Sequence, residues 1–366
     1  MRRLLGRNRR LVSNLLENGW LIYRQDNYGG SFFQPGSGLG AIDLYGSDSY
    51  PQGFSCNDPY NWASTRVSTN EYSSFRSEST STPPMIPEFQ GGSFDPWGGA
   101  GFDNCAILTN EQFERVFYKN NFASGLKIVS YYMTYGGSNW GNLGYPQGYS
   151  SYDYGAAIME NREVTRAKYS EAKLIANFWQ ASPAYLTASP QAASDSIYTT
   201  QTNLTVTPVL DADSKTGFYV IRHNSAEGTT NYLLKVPTSA GNVTIPQIQG
   251  ELTLVAKDSK IHVTDYAIGS YNVLYSSAEI FTQQSYSSYS IAVLYGEDGE
   301  VHEAAFSNAP NAKLLSGSGV TVEEINGATV LNWEASPSRK IVQIGSDLIV
   351  YLIGMLLVLI LLTAIP

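Results

Sequence analysis

The sequence predicts an α/β domain followed by an all-β domain. Up to about residue 181, short apolar strands alternate with glycine- and aromatic-rich loops and amphipathic helical stretches. That order is found in part of a parallel α/β barrel, whose catalytic residues sit at the C-terminal ends of strands. From about Ser182 the pattern changes to short alternating segments such as Gly217-Phe218-Tyr219-Val220-Ile221-Arg222 and Tyr232-Leu233-Leu234-Lys235-Val236, set apart by Gly, Asn and Pro turns. This is the signature of antiparallel sheet. A chain of 366 residues is long enough to hold both domains, each with a core.

The elements follow in order. Residues 1–28 are polar and basic, and no uninterrupted apolar run follows their arginines, so they do not read as a signal peptide. The first strand is Gly40-Ala41-Ile42-Asp43-Leu44-Tyr45. A loop rich in Ser, Pro and Tyr leads through the Ser/Thr-rich run from Ser64 to Thr82 to an extended stretch ending at Glu88. Thr109 to Tyr118 reads as an N-capped amphipathic helix with Phe113, Val116 and Phe117 on one face. Leu126 to Met133 is a strand, Tyr135 to Gly141 a second glycine-aromatic loop, and Thr165 to Phe178 a helix. The final 19 residues, Leu348 to Pro366, carry no charge and approach the minimum length for crossing a bilayer. They read equally as a terminal strand, Lys340-Ile341-Val342-Gln343-Ile344, running into residues translated past the true coding frame. The expected segments are 1–28, basic; 29–181, α/β; 182–346, antiparallel β; and 347–366, an apolar tail.

Composition narrows the function. With 43% apolar and 15% charged residues the chain is globular, and 26 Tyr, 6 Trp and 14 Phe at a net charge of −9 argue against nucleic acid and suit a neutral, hydroxylated ligand. His223, His262 and His302 are the chain's three histidines, so residues 1–222 hold no Ser-His or Cys-His nucleophile pair. Neither a zinc-spaced ligand set nor a phosphate loop occurs, so no metal and no cofactor is expected. Cys56 and Cys105 could form one disulfide or stand as two buried thiols. Asn203-Leu204-Thr205 and Asn242-Val243-Thr244 are acceptor sequons, glycosylated only in a secretory protein.

One carboxylate stands out. Glu88 lies in Pro87-Glu88-Phe89-Gln90-Gly91-Gly92, at a strand end and just before Phe94-Asp95-Pro96-Trp97-Gly98-Gly99. A carboxylate there can attack an anomeric carbon, the glycines let backbone approach a ring closely, and Phe94 and Trp97 offer apolar faces to sugar C–H edges. One of these two rings is expected to pack into its loop instead. Asp43, Asp48, Asp95 and Asp153 read as loop-bracing acceptors.

These motifs, with Gly36 to Gly46, Asp48-Ser49-Tyr50-Pro51, Phe113 to Asn120, Tyr132 to Gly141 and Ser151-Tyr152-Asp153-Tyr154-Gly155, closely resemble the fungal β-galactosidases of glycoside hydrolase family 35. The resemblance runs from about Phe33 to Ile344. It implies the C-terminal part of a TIM (β/α)8 barrel followed by an antiparallel, β-sandwich-like domain, and a retaining hydrolase of terminal β-galactosyl units. Glu88 stands at the family's nucleophile position. Tyr50, Tyr132 and Tyr154 stand where active-site tyrosines bind galactose or orient the nucleophile, and Cys56 and Cys105 stand where the family has a disulfide. An extracellular location and a β-galactoside or galactose-containing polysaccharide as partner are likewise implied.

The chain departs from the family in one decisive respect. A retaining glycosidase needs a general acid/base with its carboxyl ~5 Å from the nucleophile. In the family this residue ends the fourth strand, about 90 positions before a nucleophile on the seventh at ~30 residues per βα unit. Asn70-Glu71-Tyr72 spells the acid/base tripeptide, but Glu71 precedes Glu88 by only 17 residues. Glu71 is therefore expected to be a solvated loop residue. The reading is a β-galactosidase-like chain without its acid/base. The alternative is a noncatalytic fragment or a carbohydrate-binding β protein tethered to a membrane through 348–366.

Overall fold

A computed structural model describes residues 23–25, 34–38, 41–62, 67–144, 150–225, 227–307, 309, 311–355 and 358. The chain divides into two compact units: Met1–Ser64, Ser68–Asn110 and Ser124–Arg166 form the first, and Thr65–Val67, Glu111–Ala123 and Ala167–Pro366 the second.

In the first unit, strands β1 (Tyr23–Gln25) and β2 (Leu44–Gly46) pair in parallel, as do β3 (Met85–Gln90) and β4 (Ile128–Tyr132). Ser49, just past β2, makes a parallel bridge to Phe89 and so joins the two pairs. The basic segment 1–28 thus contributes β1; residues 1–22 lie outside the described ones. Register slips between Ile86 and Phe89, so β3 carries a bulge at Pro87 and Glu88. Proline has no N–H to give a ladder, and bulges settle where the ladder is already broken. A Cβ on Gly46 would lie 2.7 Å from Pro87 Cδ, so glycine lets β2 approach that bulge.

The Ser/Thr-rich run is not all loop. Glu71–Glu78 forms helix α1, which turns Glu71, Tyr72, Phe75, Arg76 and Glu78 to its less exposed side. Spacing of three to four residues among these positions supplies the helical face. Glu71 is accordingly half-buried and accepts the Ser124 hydroxyl at 2.5 Å, which corrects its reading as a solvated loop residue. Phe102–Leu108 forms α2.

The second unit is mostly sheet. An eight-stranded sheet runs in the order Val320–Ile325, Ala328–Glu334, Val301–Ser307, Tyr271–Ser276, Ser259–Ile268, Gly217–His223, Leu204–Leu210, Ser189–Pro190. A five-stranded sheet orders Glu279–Ser285, Ser290–Gly296, Leu348–Gly354, Lys340–Ile344, Ala312–Ser316. Phe218 and Val220 join Ile280, Leu294, Val350 and Leu352 in one core, while Tyr219 and Ile221 face a second core with Tyr232, Leu234 and Ile245. Alternation with period two thus buries both faces of one strand.

Two helical stretches belong to this unit although they precede Ser182. Glu111–Phe113 and Lys119–Ala123 are α-helical around a π turn, Glu114–Tyr118, and Ala167–Ala181 is a regular helix. Phe122 and Phe178 pack on each other and on Phe218, which explains why they group with the sheets rather than with residues 29–181. The apolar run is also drawn in: Leu348–Gly354 pairs in parallel with Ser290–Gly296 and antiparallel with Lys340–Ile344. Its first seven residues are therefore sheet, beginning within the segment expected as a tail. No helix among the described residues is long and apolar enough to cross a membrane.

Charges are buried beside these helices. Lys119 Nζ donates to both oxygens of Glu279 at 2.8 Å, and Arg115 pairs with Glu171 at 2.9 Å and Glu297 at 2.8 Å. Lys260 pairs with Glu300 at 2.8 Å and Asp258 at 3.3 Å. Glu114 is buried with no hydrogen-bond partner at Oε2. Burial pushes its carboxyl well above the usual range; Lys168 opposes this, and Glu171 and Glu111 add to it. Burial works against Glu300 in the same way, yet Lys260 and His302 outweigh it and hold Glu300 at about 2.

The signs set a pH window. A raised native pKa means that the folded state binds the proton more tightly, so Glu114's contribution is full below 4.5 and is lost as pH rises through its raised value. A depressed pKa means that Glu300's contribution is full above 4.5 and is lost as pH falls towards about 2. Calorimetry across this range should show that the melting temperature of Glu114→Gln rises relative to the parent as pH increases above 4.5. A difference that stays constant with pH would refute the assignment.

Candidate active site

β3 delivers Glu88 to its C-terminal end, between two neighbours. On one side Ser49 N–H donates to Glu88 O and Gln90 N–H to Ser49 O, both at 2.9 Å; on the other, Gly91 N–H donates to Tyr132 O at 2.8 Å. The first pairing puts Tyr50 beside Glu88, and its hydroxyl donates to Glu88 Oε2 at 2.6 Å. Burial, then the bond to Glu88 and the nearby Tyr154, Glu88 and Asp48, raises the Tyr50 phenol above the ordinary tyrosine range. Tyr50 therefore keeps its proton and serves as a hydrogen-bond donor to Glu88.

The second pairing brings in the other tyrosines. Tyr132 ends β4, and its ring stands edge-on to Tyr154 with centroids 5.2 Å apart. The Tyr132 and Tyr152 hydroxyls are 2.8 Å apart, and Tyr152 and Tyr154 rings lie 5.5 Å apart. Tyr154 is held above the ordinary tyrosine range by burial first and then by Tyr152, Tyr132 and Glu88. Strands β5 (Gly137–Ser138) and β6 (Ser151–Tyr152) form the small hairpin from which Tyr154 emerges. Glu88, Tyr50, Tyr132 and Tyr154 are thus brought together, and Tyr152 joins them. Tyr152 was absent from the expected set although it lies two residues before Tyr154 in a motif already singled out.

The glycines after Glu88 stand at close approaches of the chain to itself. A Cβ on Gly91 would meet Met133 O at 2.9 Å, and one on Gly92 would meet Tyr154 O at 2.1 Å. They let the chain's own backbone close in, with Ser93 N–H donating to Tyr154 O at 2.8 Å. The rings of the next loop differ in exposure: Phe94 is half-buried, whereas Trp97 is 77% exposed.

Two of the four aspartates, Asp95 and Asp153, brace turns. Asp95 accepts from Ala100 N–H at 3.2 Å and Gly101 N–H at 2.9 Å. Asp153 accepts from Gly155 and Glu160 N–H and pairs with Arg166 at 2.7 Å. Cys56 and Cys105 are joined in a disulfide with Cα atoms 4.8 Å apart, so beside Asp95 they offer no thiolate to a metal. Asp48 and Glu71 line a separate cavity of about 360 Å³ with Tyr45, Phe75 and Met85; Glu88 is not part of its wall. In the β domain, Asn203 is exposed and donates from Nδ2 to Thr230 at 2.8 Å, and Asn242 is exposed on the strand Gly241–Ile245.

With this geometry in place, the chain can be set beside known proteins. Residues 43–178 match the family described as Glycosyl hydrolases family 35, and residues 187–355 match Beta-galactosidase, domain 2. Beta-galactosidase A of Penicillium sp is 52% identical over 317 residues, 85% of this chain and 31% of that protein. Beta-galactosidase A of Aspergillus niger is 51% identical over 315 residues, again 85% and 31%. Probable beta-galactosidase A of Neosartorya fischeri is 46% identical over 351 residues, 95% and 34%. The stretch that holds this strand-end carboxylate and its tyrosines is thus the one that matches a glycosyl hydrolase family. The chain belongs to glycosyl hydrolase family 35, as a partial chain of the fungal β-galactosidase type. It spans about a third of the length of the curated relatives it matches.

The close approach at Gly92 is testable. Gly92→Ala places a methyl into Tyr154 O, and overpacking of this kind destabilises by about 1–3 kcal/mol. A denaturant midpoint equal to that of the parent would contradict the contact.

Proposed function

We propose that this chain carries the nucleophile side of a retaining β-galactosidase site, with Glu88 as the nucleophile. The observation that carries the proposal is the 2.6 Å bond from Tyr50 to Glu88 Oε2 at the C-terminal end of a parallel strand. A neutral phenol fixes the carboxylate's direction without taking its charge, as a nucleophile requires. On this reading the strands β2 to β4 are the C-terminal part of a (β/α)8 barrel within residues 29–181, and β1, just before that segment, pairs with β2. Tyr132 and Tyr154 present hydroxyls to the galactose ring, with Tyr152 behind Tyr132. Residues 182–346 are the second domain, the protein is extracellular, and Asn203 and Asn242 are glycan acceptors.

The division of labour follows from the chemistry. Glu88 attacks the anomeric carbon and the bond to the leaving oxygen breaks, giving a galactosyl ester; water then releases galactose from the ester. Ordinary galactosides need an acid to protonate the leaving oxygen, and no carboxylate lies at the required spacing before Glu88 in these 366 residues. The chain alone should therefore be close to inert on lactose. A leaving group that departs as a stable anion removes that need, and a small anionic nucleophile can replace activated water.

The experiment uses the purified 366-residue chain with 2,4-dinitrophenyl β-galactoside, with and without azide. The expected outcome is release of dinitrophenolate, accelerated by azide with formation of β-galactosyl azide, and abolished in Glu88→Gln. Azide attacks the anomeric carbon of the ester and frees the Glu88 carboxylate. Galactose binding without release of dinitrophenolate would favour a noncatalytic carbohydrate-binding protein.

A further inference from the structure

Gln90 lies two residues beyond Glu88 and is completely buried. Its side-chain amide is shared among three backbone partners. Oε1 accepts from Gln52 N–H at 3.0 Å, while Nε2 donates to Gly53 O at 2.7 Å and to Gly92 O at 3.1 Å. The two carbonyls can only accept and the backbone N–H can only donate, so the orientation of the amide is fixed by its surroundings. Gln52 and Gly53 belong to the turn Tyr50-Pro51-Gln52-Gly53, closed by Gly53 N–H donating to Tyr50 O at 3.1 Å. That turn begins with the tyrosine whose hydroxyl rests on Glu88.

We infer that Gln90 is a positioning residue: its amide clamps the Tyr50 turn to the strand that carries Glu88, and so sets the hydroxyl against Oε2. The inference rests on the functional reading above and extends it to a residue outside the substrate-facing set. The clamp has a geometric basis. The Ser49 bridge holds the main chain up to Tyr50, but beyond it the turn leaves the sheet and needs another anchor. Gln90 supplies that anchor at two points, from the same strand as the nucleophile. Rotation of the turn would have to break both bonds to a fully buried side-chain amide, so the turn and the nucleophile are coupled through Gln90. An error of about 1 Å in such a group can lower a rate by about a hundredfold.

The test reads the Tyr50–Glu88 bond directly. In the full chain the Tyr50 hydroxyl proton is expected as a downfield, slowly exchanging NMR signal that disappears in Tyr50→Phe. Gln90→Glu retains acceptors but, once ionised, lacks both N–H donors, so the signal should be lost at neutral pH while the circular dichroism spectrum is kept. Acidification protonates the introduced carboxyl, restores one donor, and should bring the signal back. A purely structural role for Gln90 would not give this reversible dependence.

A measurement without substitution guards against a variant that fails to fold. In the parent chain, Gln52 N–H and the Tyr50 hydroxyl should open to exchange at a common rate. A Tyr50 signal unchanged in Gln90→Glu at every pH, or a Gln52 N–H that exchanges freely while the Tyr50 signal persists, overturns the inference. With dinitrophenyl galactoside, Gln90→Glu should slow galactosylation about tenfold to a hundredfold at neutral pH, with recovery in acid. A chain inert to this substrate whose Tyr50 signal still follows Gln90 supports the clamp and refutes only the catalytic reading.

Discussion

The site depends on one backbone exchange, Ser49 with Glu88 and Gln90 across a parallel bridge. On its far side β3 is already engaged with β4, so the strand bearing the carboxylate is held from both edges. Pro87 then interrupts the ladder at the position before Glu88, and the bulge turns the side chain while the flanking pairs keep the main chain fixed. Fixed main chain and locally redirected side chain together give a carboxylate with one defined direction. Gly46, Gly91 and Gly92 serve that packing, because a Cβ on any of them would strike Pro87, Met133 or Tyr154.

Much of this was legible in the sequence, and the limits have physical reasons. Glu88 stood out in the sequence because a strand-end carboxylate beside glycine and aromatic residues is a local motif, whereas Tyr50, Tyr132 and Tyr154 entered only through the family resemblance. The antiparallel grammar beyond Ser182 was readable because period two is also local. Glu71's helix was hidden by serines, which favour caps and turns as readily as helix. β1 was hidden by a polar, basic context that resembles no buried strand, although parallel pairing with β2 can order it. Gln90 was hidden for a different reason. Its neighbours Gln52 and Gly53 are distant in sequence, and no pattern of residue types announces a side-chain amide that spans a turn.

The buried charges of the β unit show the same limit from the energetic side. Lys119 and Arg115 sit on a helical stretch whose apolar face predicted burial, but their partners Glu279, Glu171 and Glu297 come from other elements. Sequence gives the charges and not the pairing. The balance of burial against nearby cations decides which carboxyls rise and which fall: Lys260 and His302 outweigh burial at Glu300, whereas burial prevails at Glu114 and also at Glu171 and Glu297 despite their pairing with Arg115. Such groups stabilise over different ranges of pH, so the unit gains an optimum between the two limbs rather than a plateau.

The geometry around Glu88 also bears on how a retaining mechanism can be divided. On the proposed reading, the nucleophile needs direction and charge, and one strand, one turn and one hydroxyl would supply both. The acid/base needs a pKa that changes through the cycle and a carboxyl ~5 Å away, which are properties of a second strand end. These requirements are separable, because the Tyr50 bond and the Gln90 clamp do not refer to the second carboxyl. A carboxylate can therefore be preorganised in a chain that does not by itself protonate a leaving group. In such a chain reactivity should depend on the leaving group far more strongly than in an enzyme holding both carboxyls, since only the departing oxygen's own basicity then limits bond breaking.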